Sequence, residues 1–302
     1  MAIRRLAAFA LVAVSTTALF GFDSVARDPR IQDRLYDHLD HAETAFMEGH
    51  AHEAEAYVEM VLLKREITIY VNAANVPGEM KEDASRALHD AAINWEDALG
   101  RQVHFRFVPF PGADVTVRYA DEMRYDGKEA AGLVTWSRQV MDLGSDQYQY
   151  QVSATMTLRT ASPRGGEMNY RQMLNAAGHE LGHILGMEDS GRQGELMGPM
   201  RLDRPVERPT SKETQSLLAL RQQADVLLQQ ITGDHGGGLI AMDPVIEVRP
   251  QVVWPQDYPV ADRKDSSRSH SSRSRTAPVR SPRRDGQAQK RETNAAFNGL
   301  GW

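Results

Sequence analysis

The stretch from Met168 to Gly186, MNYRQMLNAAGHELGHILG, leaves a folding chain few choices. Wound as a helix at about 100° per residue, it gathers Tyr170, Met173, Leu174, Ala177, Leu181, Ile184 and Leu185 into one apolar stripe. His179 and His183, one turn apart, project from roughly the opposite side. Two histidines of an ordinary core would sit inside the stripe. A separate imidazole face suits a helix on the floor of a cleft. Residues four apart stack on a helix, so two neutral imidazoles can reach one zinc ion at about 2.0–2.1 Å. Glu180, offset around the helix, reaches a water at such a metal rather than the metal itself, and is the candidate general base. Gly186 can adopt the left-handed conformation that ends a helix and turns the chain back. That turn carries Asp189 or Glu188 toward the same point.

The rest of the chain supplies a body for this helix. Residues 31–63 read as helix with a break near Gly49, and Leu35, Leu39, Ala42, Phe46, Ala54, Tyr57 and Val61 recur at helical intervals. The spacing resembles one tetratricopeptide unit, which cannot bury its own face and so packs on its neighbour. His38, His41, His50 and His52 in this polar context read as solvated surface before they read as a metal cluster. Strands are expected at 67–72, 103–108, 114–120, 132–136 and 151–160 from period-two patterns, with a helix over 82–99 stopped by Gly100. A last helix over 211–231 opens with Thr210 and Glu213 in capping-box spacing.

Charge and cysteine content bound the compartment. MAIRR followed by an apolar run to Phe22, with small residues at Ser24 and Ala26, reads as an export signal over 1–26, with an uncleaved anchor as the alternative. There is no cysteine, which excludes disulfides, thiol nucleophiles and thiolate ligands, and favours a bacterial exported chain over an animal secreted one. Residues 261–302 carry ten Lys/Arg against four Asp/Glu, a net of +6, against −6 for the whole chain. The first 260 residues therefore net −12, an acidic body with a basic tail. The tail, 233–302, holds a Ser/Arg/Pro tract with almost no apolar content and is expected to be disordered. It could contact acidic surfaces. No aromatics interleave its arginines, so no specific nucleic-acid reader is expected.

HELGHILGMEDS followed by ELMGP resembles the metzincin clan of zinc peptidases, whose pattern is H-E-x-x-H-x-x-G-x-x-H with a Met-turn, and within it the matrixins. The resemblance covers about 65–232. It implies an α+β metzincin fold: a twisted, mostly parallel sheet with an antiparallel edge strand, a backing helix, the active-site helix and a C-terminal helix. It implies one catalytic zinc held by His179, His183 and Asp189, with Asp189 preferred to Glu188 because it occupies the third-ligand position. Met197 would be a floor under the metal and not a ligand. The antiparallel edge strand, taken as Gln151–Thr160, would bind a protein or peptide substrate as an added strand.

An aspartate in place of the third histidine departs from the pattern, yet two-histidine, one-carboxylate zinc sites are workable. The anionic ligand lowers the site's charge and raises the pKa of the bound water relative to an all-histidine site. No histidine lies between His104 and His179, so the matrixin structural zinc site is absent. Asp126 and Asp142 are candidate calcium ligands, and surface turn acids are the preferred reading of both. The segment 27–63 reads either as a propeptide, one that lacks any thiolate to block the metal, or as a hairpin packed on the 64–232 peptidase domain. The expectation is an exported, monomeric zinc endopeptidase. The alternatives are a catalytically silent binding protein that docks through its edge strand and basic tail, and a self-processing protease.

Overall fold

The computed structural model describes residues 27–233 and 296–301. The expected signal segment and the Ser/Arg/Pro tract lie outside the described residues. Among the described residues no helix is long and apolar enough to cross a membrane.

The leading segment forms two helices, α1 (Asp33–Met47) and α2 (Ala51–Leu62), separated at Gly49. Leu35, Tyr36, Leu39, Ala42 and Ala45 line the buried side of α1 at intervals of three and four. These residues join one continuous hydrophobic core with the strands and helices that follow. A helical pair of this size cannot bury its own apolar face, so it shares the core of its neighbour.

The sheet contains β1 (Ile67–Asn72), β2 (Phe105–Val108), β3 (Val115–Ala120), β4 (Arg124–Tyr125), β5 (Lys128–Gly144), β6 (Gln147–Arg159) and β7 (Ala296–Gly301). Its order is β2-β1-β3-β6-β5-β4, with β7 pairing β5. Strands β2, β1, β3 and β6 run parallel, and β5 is antiparallel to β6. Asp114 ties the start of this sheet together. Its carboxylate accepts from the Arg65 guanidinium at 2.7 and 3.0 Å, and from the Thr68 amide at 2.8 Å and hydroxyl at 2.7 Å. Burial raises the Asp114 pKa, but the Arg65 and Thr68 bonds outweigh it and hold the group below the usual carboxylate range.

Two expectations fail here. Gln151–Thr160 is not the antiparallel edge, because β6 lies between β3 and β5, and β5 takes that role. A period-two pattern fixes which face a strand buries and leaves its neighbours undetermined. The tail also regains order at its end, where Ala296–Gly301 forms β7. The charge that opposes order sits in the Arg/Ser/Pro tract, whereas AFNGLG carries none.

Helix α3 (Lys81–Ala98) backs the active-site helix α4 (Tyr170–Leu185), and α5 (Ser211–Gly233) closes the domain. Small residues Ala84, Ala87, Ala91 and Ala92 are buried on α3, and its Trp95 indole donates to the Gly178 carbonyl of α4 at 2.7 Å. Arg138 of β5 is buried and donates to the carbonyls of Met60 (3.3 Å) and Ile184, in the last turns of α2 and α4. A cation suits two helix C-termini, where unpaired carbonyls carry partial negative charge. Hairpin, edge strand and active-site helix therefore meet at one side chain.

Candidate active site

Helix α4 starts on a capping box. The Asn169 side chain accepts from the Gln172 amide at 3.1 Å, and the Gln172 side chain accepts from the Asn169 amide at 3.0 Å. It ends at Gly186, in the left-handed region at φ 105°, where a Cβ would collide with the Leu35 side chain of α1. Every residue from Gln172 to Leu185 is buried. Past its first turn the helix therefore has no solvent face: its polar side abuts β5 and the chain that follows it.

His179, Glu180 and His183 have no exposed surface. His179 Nδ1 lies 2.9 Å from the Leu196 carbonyl, and His183 Nδ1 lies 2.9 Å from the Met187 carbonyl. A carbonyl only accepts, so each ring carries its proton on Nδ1 and leaves the Nε2 lone pair facing inward. The two Nε2 atoms lie 3.0 Å apart, and Asp189 Oδ1 lies 3.0 Å from the first and 3.4 Å from the second. Three ligand atoms arranged tetrahedrally at about 2.05 Å from a zinc ion would be about 3.3 Å from one another. The donor set is the right size and chemistry for zinc.

The electrostatics ask for a cation. Burial lowers the His179 pKa and keeps that ring neutral. Burial raises the Asp189 carboxyl, but the closeness of both imidazoles outweighs it and holds the group well below the usual carboxylate range. His183 is depressed by burial, yet Asp189 and Glu180 together raise it, so the pocket draws positive charge to the point between the three ligands. Burial pushes the Glu180 carboxyl up to about 8 against the pull of His183 and the nearby Val134 amide, and among the described residues no group donates to its oxygens in good hydrogen-bond geometry.

Asp189 is delivered by an anchored loop. Gly182 O accepts from the Met187 amide at 2.9 Å, Arg30 O from the Glu188 amide at 2.8 Å, and Met197 O from the Ser190 amide at 2.6 Å. Glu188 is thus held by its backbone beside the leading segment, and it stands outside the cluster of His179, His183 and Asp189. Met197 packs under α4, close enough that a Cβ on Gly182 would strike its sulfur. Its amide donates to Glu213 Oε1 at 2.7 Å, while Glu213 Oε2 accepts from the Thr210 amide and hydroxyl, each at 2.7 Å. The α5 capping box therefore also fixes the Met-turn. Elsewhere, Asp142 accepts from the Gly144 amide at 2.7 Å, an ordinary turn bond, and His41 lies 3.2 Å from Glu53.

Three contributors went unrecognised in the sequence. Gln32 donates from Nε2 to the carbonyls of His183 (3.2 Å) and Met187 (3.0 Å), so the leading segment holds the far end of the ligand helix. Between Ile31 and Asp33 in a polar stretch, it leaves no signal in the sequence. Glu213 was legible as a cap, but its second oxygen's role depends on tertiary placement. Gly132 on β5 lies against Glu180, and a Cβ there would overlap that carboxylate.

A comparison with curated proteins gives no match. The family model described as matrixin matches residues 63–213, half of the chain, and spans strands β1 to β6, the ligand helix and the Met-turn. With three metal-fitting side chains converging inside the matched region, the chain belongs to the matrixin family of zinc metalloendopeptidases.

Proposed function

We propose that this protein is an exported, monomeric endopeptidase that holds one zinc through His179, His183 and Asp189, uses Glu180 as general base and takes extended substrate along β5. The observation that carries this reading is the convergence of three acceptor atoms within 3.0–3.4 Å, beside a buried carboxylate with no partner among the described residues. Zinc bound there acts as a Lewis acid that acidifies water and polarises the peptide carbonyl.

The chain's own residues do the rest. The Leu196 and Met187 carbonyls fix both imidazole rings through Nδ1, so no reorientation is needed on loading. Asp189, with its side chain about half exposed at 46%, is the one ligand in reach of solvent. Glu180 accepts a proton from the attacking water and returns it to the departing amine. A carboxylate sealed from solvent without a partner destabilises the fold, which a silent binding protein would have no reason to retain. Strand β5, on the side of β6 away from the parallel strands, would offer main-chain groups to an extended peptide in place of β7. The signal-like residues 1–26 support export.

The test combines metal content with turnover. Glu180→Ala should keep about one zinc per chain and lose peptidase activity by roughly 10²–10⁴-fold or more. Asp189→Ala should lose zinc affinity while Glu188→Ala keeps it. An active Glu180→Ala chain, or zinc loss in Glu188→Ala alone, would sink the assignment.

A further inference from the structure

The strand that the peptidase reading gives to the substrate is not bare. Strand β7 pairs with β5 antiparallel, placing Trp136 opposite Ala296, Thr135 opposite Phe297, Val134 opposite Asn298, Leu133 opposite Gly299 and Ala130 opposite Gly301. The register shifts between Ala130 and Leu133, so Ala131 and Gly132 of β5 face the single residue Leu300. Two residues against one is a β-bulge, a feature common beside active sites. This one falls where β5 packs on Glu180, since Gly132 is the residue whose Cβ would meet that carboxylate.

We infer that the peptide-binding edge of this protein has a resident occupant, the C-terminal segment of the same chain, seated on β5 and passing the Glu180 carboxylate. Addition of a strand relies on main-chain groups, so the segment needs no particular side chains to fit. Both partners are uncharged, AFNGLG on one side and the Ala130–Trp136 stretch on the other. An exposed edge left open is a template for pairing with other chains, and this segment closes it. The 62 residues between Gly233 and Ala296 make the pairing intramolecular. The occupant is thus present at one copy per site at every protein concentration. An incoming peptide must displace it. That competition rests on the peptidase reading, whereas the occupancy does not.

Asn298→Pro with Gly299→Pro in the full chain removes two consecutive amide donors. In an antiparallel ladder alternate residues bond to the partner strand, so at least one removed donor belongs to the pairing. The probe is a fluorescein-labelled peptide of residues 295–302, AAFNGLGW, with binding read by anisotropy. The double-proline chain should bind it about tenfold more tightly than wild type, the ratio for a slot filled nine-tenths of the time. Equal binding by the two chains, or none by the variant, overturns the inference. So does mass spectrometry showing that wild type trims residues from its own 296–301 segment, which would make the strand a substrate instead of a resident. With a peptide substrate, KM should fall by the same factor while kcat stays unchanged. If neither chain turns over substrate, the peptidase reading fails and the anisotropy comparison still decides occupancy.

Discussion

The residues leading into α1 and the strand β7 come from opposite ends of the described chain, and both reach the neighbourhood of α4. The leading segment arrives from behind. Ile31 bridges Met187, Gln32 donates to two carbonyls at the end of the ligand helix, and Leu35 fills the space beside Gly186. Those contacts are buried, and they connect specific side chains to specific backbone groups. Strand β7 arrives at the front and is held by a main-chain ladder to β5. A buried side-chain lock cannot be replaced by another sequence, whereas a ladder bond can be made by any extended peptide. One end of the chain is therefore scaffold and the other is exchangeable. Removing residues 27–63 would strip partners from the loop that carries Asp189.

That contrast can be broken at three points. Leu35→Ala should show the largest effect, a loss of about 2–5 kcal/mol in denaturant unfolding, because the side chain is fully buried against the ligand helix. A cost below about 1 kcal/mol would make the hairpin a detachable appendage. The next effect is in acid. His38, expected on the solvated surface, instead has its ring largely buried, and burial, followed by the nearby Arg138 and Arg34 cations, pushes its pKa down to about 4 from 6.5. A folded pKa below the unfolded one means that the contribution is fully present above pH 6.5 and is lost as pH falls toward 4. Stability should drop by an amount of the order of 1–3 kcal/mol across that window, and His38→Leu should flatten the profile. A wild-type profile that is already flat there would show that His38 takes up its proton without loosening the hairpin. The smallest effect belongs to the exchangeable end: the double-proline variant in β7 should leave global stability within about 0.5 kcal/mol. A larger loss would place β7 with the scaffold.

What the sequence disclosed divides along the same line. His179, His183, Glu180 and the α5 cap follow from short-range spacing, where helical geometry fixes which side chains meet, whereas Asp189 and the Met-turn lie beyond the helix and rested on the resemblance to the matrixins. Ile67–Asn72 was legible to the residue because its pattern is bounded by charge on one side and a turn on the other. The edge strand was misassigned because β5 and β6 form a hairpin, and alternation on its own does not say which of the pair inserts beside β3. Gln32 and Arg138 act on carbonyls distant in sequence, and a main-chain acceptor leaves no trace in side-chain composition. The ordered C-terminus was missed because a six-residue neutral stretch is weak evidence beside a long charged tract.

The bulge at Ala131–Gly132 has a mechanical meaning for any peptide lying on β5. On one side of it the bound chain is matched over four residues and on the other over one, with alternate residues bonded to β5. Opposite the bulge a single bound residue faces two, and its peptide groups are left without the regular pair of bonds. A peptide on this edge is clamped at both sides and slack in the middle, and the slack falls beside Glu180.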